Sequence, residues 1–487
     1  MVNASSAPRS GLSERVNKDI LAIVLPVIAE NVFQMLAQIV TSAMIGRLAT
    51  EEIAAQGIGN RMYNLCWAAY KGIGIGATVV ISLRYGRGQF KECRRAVEQT
   101  YLTLVPFAAL VSLIFTIFST KLVTIMSDDP TLVSQSSAYL RIVVWALPIA
   151  AINLCSIAGF NGHGNTKTPM FNAMFLNAVN VVAGYLLIFG IGPFKGYGLI
   201  GAGLATLISQ SAGAFSCTWM LYHKKGYLCD EAHGLNFFKP ERGLIREIYK
   251  SGLPAAGENV TWQLSAIVLS KIILTYGSAT FAAYQLGLQA EVLCEMPGMG
   301  FVTAAVTLSA RAIGQSDEEL YRAYYKKMKI YALCTGLFTA SLLFFFPGLI
   351  MQFLTDKPDV RALGTEYVLM MALCPIPQDQ DKIYFGYMRS AGYPRQPFYF
   401  SVLGIWGVRV PVSMIFGWLL HWDIKWIWLS MALDQWTRLT ASYIFFKRKR
   451  VLDKGVSLMS GNTSDADDTA DIAGEETLLA EEARTDG

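Results

Sequence analysis

Twelve apolar runs, each long enough to cross a bilayer, decide what this chain is able to fold into. A hydrocarbon core about 30 Å thick takes about 20 residues as a helix. Runs of at least that length occupy residues 20–45, 53–83, 98–120, 134–160, 169–191, 198–222, 248–276, 280–310, 328–353, 364–389, 398–420 and 425–446. Lipid offers the backbone no hydrogen-bond partner, so each run must satisfy its own peptide groups as a helix. The chain is 53% hydrophobic and only 16% charged, where an ordinary soluble domain is about a quarter charged. The sequence therefore predicts an all-α membrane protein with twelve transmembrane helices.

Charge placement predicts the orientation. Basic residues gather in the N-terminal tail (Arg9, Arg15, Lys18), in the second loop (Arg84, Arg87, Lys91, Arg94, Arg95) and in the sixth (Lys224, Lys225, Lys239, Arg242, Arg246, Lys250). They also gather in the eighth loop (Arg311, Arg322, Lys326, Lys327, Lys329) and after the last run (Lys447 to Arg450). The intervening loops hold one or two at most. The positive-inside rule then puts both termini in the cytoplasm and the chain in the cell membrane. An even number of spans follows independently. The net charge of +5 is spread over alternate loops and is no nucleic-acid footprint. The first run is too long for a signal-peptide core and reads as a span, and the eight cysteines lack metal-type spacing and read as core thiols.

The chain repeats itself. LPVIAENVFQMLAQIV (25–40) and LPAAGENVTWQLSAIV (253–268) agree at eight of sixteen positions, with Leu25 answering to Leu253 and Glu30 to Glu258. Tyr139 and Tyr367, Gly164 and Gly392, and Pro169 and Pro397 keep the same offset. Six spans are followed by six of the same plan, and an even number per half makes the halves parallel repeats about a pseudo-twofold along the membrane normal. The predicted organisation is a cytoplasmic N-terminal tail (1–17), an N-lobe (18–222), a cytoplasmic linker (223–247), a C-lobe (248–450) and a disordered acidic cytoplasmic tail (451–487).

An ionisable side chain at the bilayer centre costs on the order of 3 kcal/mol and marks a functional site by default. Here the acids are Glu30, Glu258, Glu291, Glu295, Asp379, Asp381 and Asp434, and the bases Arg61, Lys71, Arg141, Lys271, Lys382, Arg409 and Arg438. A polar internal cavity is the simplest way to hold so many. Glu30 and Glu258 each stand one helical turn after a proline (Pro26, Pro254), just beyond an expected bend. A carboxylate there can take a proton, bind a cation or pair with a base; with Asn31 and Asn259 it can also simply hold helices in register. Glu291 and Glu295 share a helix face, either as a proton or cation site or as partners of a base such as Lys71. Asp379 and Asp381 follow Pro375 and Pro377, where an interrupted helix frees carbonyls for a small cation or simply starts at the outer interface. Trp422, Trp426 and Trp428 read as an interfacial belt; Trp262 either packs or lines the cavity. No phosphate-cradling GxxxxGK[ST] loop and no DDxxD cluster is present, so the chain is not read as an enzyme.

Over residues 18–450 the chain resembles the multidrug and toxic compound extrusion (MATE) transporters. The resemblance rests on IGRLATEEIAAQGIGN (45–60), GIGATVVISLRYGRG (74–88), NGHGNTKTP (161–169), Asn180 and GLIGAGLATLIS (198–209). It implies two six-helix lobes flanking a central cavity, and export of amphipathic, usually cationic organic compounds driven by entering Na⁺ or H⁺. In sodium-coupled, NorM-like members an acid of the seventh helix and another of the tenth form the cation site, which Glu258 and Asp379 match best. Many members carry an aspartate where this chain has Thr41, so a first-helix proton site would need Glu30 instead. The combined expectation is an antiporter working by alternating access, a monomer in the lipid bilayer with small organic cations as its partners. Glu258, Asp379, Glu295 and Glu30 would couple the cation, with Na⁺ at Glu258 and Asp379. Glu291, Asp381, Asn31, Asn259, Lys71, Asn180 and Trp262 would line the substrate cavity. The alternative is a lipid-linked oligosaccharide flippase using Arg61, Lys71 and Arg409 on an anionic pyrophosphate.

Overall fold

The computed structural model describes residues 9–124, 129–191, 194–223 and 239–460. The first half contains α1 (Arg9–Ile45), α2 (Thr50–Gly86), α3 (Phe90–Thr124), α4 (Pro130–Val143), α5 (Ala146–Gly162), α6 (Lys167–Phe189) and α7 (Gly198–Tyr222). A short hairpin of β1 (Gly190–Ile191) and β2 (Phe194–Lys195) links α6 to α7. The second half contains α8 (Arg242–Leu274), α9 (Ser278–Gln315), α10 (Glu318–Phe345), α11 (Pro347–Leu354), α12 (Pro358–Met371), α13 (Pro375–Ser390), α14 (Gln396–Gly404), α15 (Val410–Ser413), α16 (Lys425–Arg448) and α17 (Val451–Met459). With α4–α5, α12–α13 and α14–α15 each forming one interrupted rod, the described residues make an all-α bundle of twelve rods.

The two halves share their interruptions as well as their rods. Rod four breaks after Val143 and rod ten after Met371, positions that keep the offset of the sequence repeat. The loops that follow turn at Gly164 (φ 79°) and Gly392 (φ 90°), a left-handed geometry that only glycine adopts cheaply. Tyr139 packs over Gly59 and Tyr367 over Gly287, where an added Cβ would lie 2.5 Å and 2.2 Å from the ring. The same small-under-large contact thus recurs in each half.

Eight described helical segments are apolar and long enough to cross a membrane, nine when α9 counts as one rod bent by 44°. All six rods of the first half are among them. Those that fall short are rods seven, ten and twelve, which carry Glu258, Asp379, Asp381, Lys382, Arg389, Asp434 and Arg438. Rod eleven is widened by π-helical turns at Ile405–Arg409 and Met414–Leu419. Pro411 explains the first, because it cannot donate to the Gly407 carbonyl and its ring crowds that position.

The halves meet through small residues. A Cβ on Gly72 would fall 2.0 Å from the Ala256 nitrogen, and one on Gly76 2.5 Å from the Gly252 nitrogen. Close backbone approach of this kind is how helices associate where lipid removes the hydrophobic drive. Further contacts cluster at the same end: Arg84 with Glu247 at 2.7 Å, Tyr324 with Asp19 at 2.5 Å, and Thr307 with the Asn161 carbonyl at 3.1 Å. The start of α1 (Val16, Ile20, Val24) joins α9, α10, α13 and α17 in one buried cluster there. The start of α1 and α17 therefore both lie at the basic end of the bundle, and that end is closed.

The segment boundaries differ from the expected ones. Residues 9–17 extend α1, residues 242–247 of the expected linker begin α8, and the acidic tail starts with α17. Val451 is fully buried and Asp453 pairs with Arg322 at 2.8 Å, so apolar anchoring orders this first stretch of a polar tail. Residues 224–238 and 461–487 lie outside the described residues.

Candidate functional site

The proline bends position the first polar groups. Beyond Pro26, Asn31 donates to the Val27 carbonyl at 2.7 Å; beyond Pro254, Asn259 donates to the Ala255 carbonyl at 2.9 Å. The amide reinforces the turn after each bend and leaves the adjacent glutamate to face inward. Glu30, Asn31, Lys71 and Asn259 line a cavity of ≈ 280 Å³. Its walls come mainly from α1, α2, α5 and α6 of the first half, with α8 and α9 closing one side.

Among the described residues, that cavity is lined by one acid (Glu30), one base (Lys71) and eight amides: Asn31, Gln34, Asn153, Asn161, Asn172, Asn177, Gln210 and Asn259. Asn172 donates to Asn153 at 2.9 Å, which orients two of them. Lys71 stands within Coulombic reach of both Glu30 and Glu295. Among the described residues neither Glu30 nor Lys71 has an ion-pair or hydrogen-bond partner. Trp67 and Thr78 complete the α2 wall, so the chamber combines an aromatic face, apolar walls and many hydrogen-bond donors and acceptors.

The second half treats its acids differently. Arg389 donates to Glu258 at 2.6 Å, and Lys382 to Glu295 at 3.0 Å. Tyr367 donates to Glu291 at 2.9 Å and Ser442 to Asp381 at 2.6 Å. Asp434, wholly buried, sits between Arg409 (2.8 Å) and Arg438 (2.9 Å). Gly404 makes room for it, since a Cβ there would lie 2.1 Å from Oδ1. Asp379 is 1% exposed and its Oδ2 lacks a hydrogen-bond partner among the described residues; it shares the space over Gly298 with Lys382.

Several expected placements change. Glu258 and Asp379 are not brought together here: Glu258 is held by Arg389, which lies about 15 Å along α13 from Asp379. Among the described residues no group of three or more His, Cys, Asp or Glu side chains is arranged to hold a metal. Glu291, Asp381 and Trp262 do not line the cavity, because the first two are turned into the second half's own packing and Trp262 is 41% exposed. Asn180 lies outside it too, accepting from Thr41 at 3.2 Å and donating to Ser209 at 3.0 Å. Of the three bases a flippase would use, only Lys71 faces the cavity: Arg409 is bound to Asp434 and Arg61 is exposed elsewhere. Trp422 and Trp426 are exposed and adjacent as a belt requires, whereas Trp428 is buried against Tyr367.

The residues that the sequence reading does not single out are Arg389 and six of the amides, Gln34, Asn153, Asn161, Asn172, Asn177 and Gln210. Arg389 closes the tenth run rather than interrupting it. The readable signal was the repeat: in the register that matches Glu258 to Glu30, Arg389 falls on Asn161, which stands on the cavity wall with the other copy of the glutamate.

Parallel six-rod halves, closed against each other at one end around an amphipathic chamber, define a membrane transporter rather than an enzyme. The chain matches the MatE family over residues 26–186 and again over 254–415, two stretches whose starts fall on the two copies of the helix-bending proline, and it belongs to that family. Curated relatives include "Probable multidrug resistance protein NorM" of Thermotoga maritima, 24% identical over 88% of this chain and 92% of its own. Another is "Uncharacterized transporter YisQ" of Bacillus subtilis, 24% identical over 90% and 96%. The fold superposes on an outward-facing multidrug resistance MATE transporter of the MOP superfamily with a TM-score of 0.82 at 16% identity, covering 92% of this chain and 99% of that one. A MOP superfamily transporter from Pyrococcus furiosus, described as having a binding pocket of reverse polarity, gives 0.80 at 17% identity over 93% and 99%.

Proposed function

We propose that this protein is a secondary active antiporter that exports amphipathic organic compounds in exchange for Na⁺ or H⁺, with Glu30 as the coupling carboxylate. The observation that carries the proposal is the contrast between two copies of one residue. Glu258 is neutralised by Arg389; Glu30 faces the chamber, where the corresponding position is Asn161. A carboxylate in a cavity with no fixed ion-pair partner is free to exchange one cation for another, and coupling requires that exchange. The Thermotoga maritima relative, named as a probable multidrug resistance protein, supports the substrate class.

In the proposed cycle the basic, closed end is cytoplasmic, as the positive-inside rule requires. A cation entering from outside takes Glu30 and displaces the substrate. The halves then part at the Gly72–Ala256 contact, opening the chamber inward for reloading. Lys71 acts as an internal rival: when substrate or coupling ion holds Glu30, its ammonium shifts toward Glu295. Organic cations are favoured by Glu30 and opposed by Lys71, and the surrounding amides and Trp67 supply most of the contact. The test is ethidium efflux from proteoliposomes under an imposed Na⁺ or H⁺ gradient. Efflux under one gradient, lost in Glu30→Gln, identifies the ion and supports the reading; efflux unchanged in Glu30→Gln overturns it.

A further inference from the structure

Asp19 and Glu247 occupy the same position of the sequence repeat, and each reaches across to the other half. Asp19, near the start of α1, accepts from Tyr324 of α10 at 2.5 Å. Glu247, near the start of α8, accepts from both terminal nitrogens of Arg84 on α2, at 3.2 Å and 2.7 Å. Their apolar neighbours follow the same rule. Val16 and Ile20 are buried in a core of the second half, whereas Leu244 and Ile248, which answer to them in the repeat, are buried in the core of the first. The opening segment of each half's first rod is thus packed into the opposite half. We infer that these two segments are a duplicated clasp that holds the basic end of the bundle closed, with the Arg84–Glu247 contact as its catch.

The catch is built to be released. Arg84 has a side chain only 14% exposed, and a guanidinium that little hydrated is costly to leave without a counter-charge. It also donates to Glu92, at the start of α3, at 3.0 Å. Glu92 belongs to the same half as Arg84 and follows it by one tight turn, so it stays when Glu247 departs. Parting the halves therefore exchanges a two-carboxylate arginine for a one-carboxylate arginine and strands no charge.

A tether keeps the released segment in register. Gln99 of α3, 2% exposed, donates to the Lys239 carbonyl at 2.9 Å and accepts from the Glu241 nitrogen at 3.1 Å. This fixes the residues just before α8 to the first half. The start of α8 then swings about that point, carrying Glu247 away from Arg84 and back.

The test is maleimide labelling of the purified full chain in detergent, resolved site by site by peptide mass spectrometry. Ser251→Cys reports on the clasp, and Thr280→Cys, buried at the far end of α9, reports on the opposite end. Glu247→Gln and Tyr324→Phe should each accelerate labelling of Ser251→Cys by about fivefold, the scale of one partly buried ion pair or hydrogen bond, and leave Thr280→Cys unchanged. Glu92→Gln should slow labelling of Ser251→Cys, because only the open state then leaves Arg84 unpaired. Unchanged labelling of Ser251→Cys in Glu247→Gln or Tyr324→Phe would overturn the clasp. Acceleration by Glu92→Gln equal to that by Glu247→Gln, or equal acceleration at Thr280→Cys, would also overturn it by showing general loosening. Labelling needs neither gradient nor substrate, so a clasp that fails this test leaves the antiport reading untouched.

Discussion

Glu258 and Arg389 are bonded at 2.6 Å, while their counterparts in the first half, Glu30 and Asn161, line an open cavity in which Asn161 Oδ1 has no hydrogen-bond partner among the described residues. One duplicated carboxylate has thus been given two fates by a single change at the position facing it. In the proposed cycle, locking one half leaves the other to carry exchange.

Removing one member of the locked pair should act on stability. Arg389 is 3% exposed at its side chain and Glu258 24%, so Glu258→Gln strands a buried guanidinium at a cost on the order of 3 kcal/mol. Thermal unfolding in detergent should show a lower midpoint, and Glu258→Gln/Arg389→Gln should recover more than half of the loss. If the midpoint stays put while gradient-driven efflux disappears, Glu258 is a coupling residue after all.

The open copy should behave in the opposite way. Glu30→Gln removes no ion pair among the described residues, so the unfolding midpoint should change little while efflux in proteoliposomes falls at least tenfold. Asn161→Arg copies the second half's pair into the first and should silence transport without loss of stability. Wild-type efflux from Asn161→Arg would show that Glu30 need not be free.

Asp434 carries two guanidinium groups at once. With Arg409 and Arg438 9% and 11% exposed at their side chains, Asp434→Asn leaves both buried and unbalanced, a loss on the order of 3–5 kcal/mol. This should be the least stable of the single carboxylate-to-amide variants. A midpoint equal to that of Glu291→Gln, whose hydrogen-bond donor is the neutral Tyr367, would contradict the account.

The contact between Gly72 and Ala256 should govern which end of the bundle is closed. An alanine at 72 needs space now filled by the α8 backbone and should pry the halves apart there. Maleimide labelling of Ser251→Cys, a buried position beside this contact, should accelerate at least tenfold in Gly72→Ala. Unchanged labelling would mean that the helices slide without opening.

Some of this was readable from single positions. Pro26 and Pro254, Gly164 and Gly392, and Tyr139 and Tyr367 encode backbone needs or nearest-neighbour packing, so the same offset returned the same geometry. Asn31 and Asn259 were legible beside the duplicated glutamates, whereas the other six cavity amides stand in the apolar runs without a pattern that marks them, since an amide costs less to bury than a charge. Trp428 was grouped with Trp422 and Trp426, although residues two apart on α16 point to opposite sides of the helix.

The sequence by itself determined the span count, the duplication and the common side of the first and last described helices, because hydropathy, loop charge and offset are properties of the chain read in order. Tertiary structure alone decided which carboxylates are spent on packing and which face the chamber. A buried charge takes its meaning from the partner brought to it across a helix interface, and Arg389 reaches Glu258 from 131 residues away, a distance along the chain that no local pattern encodes.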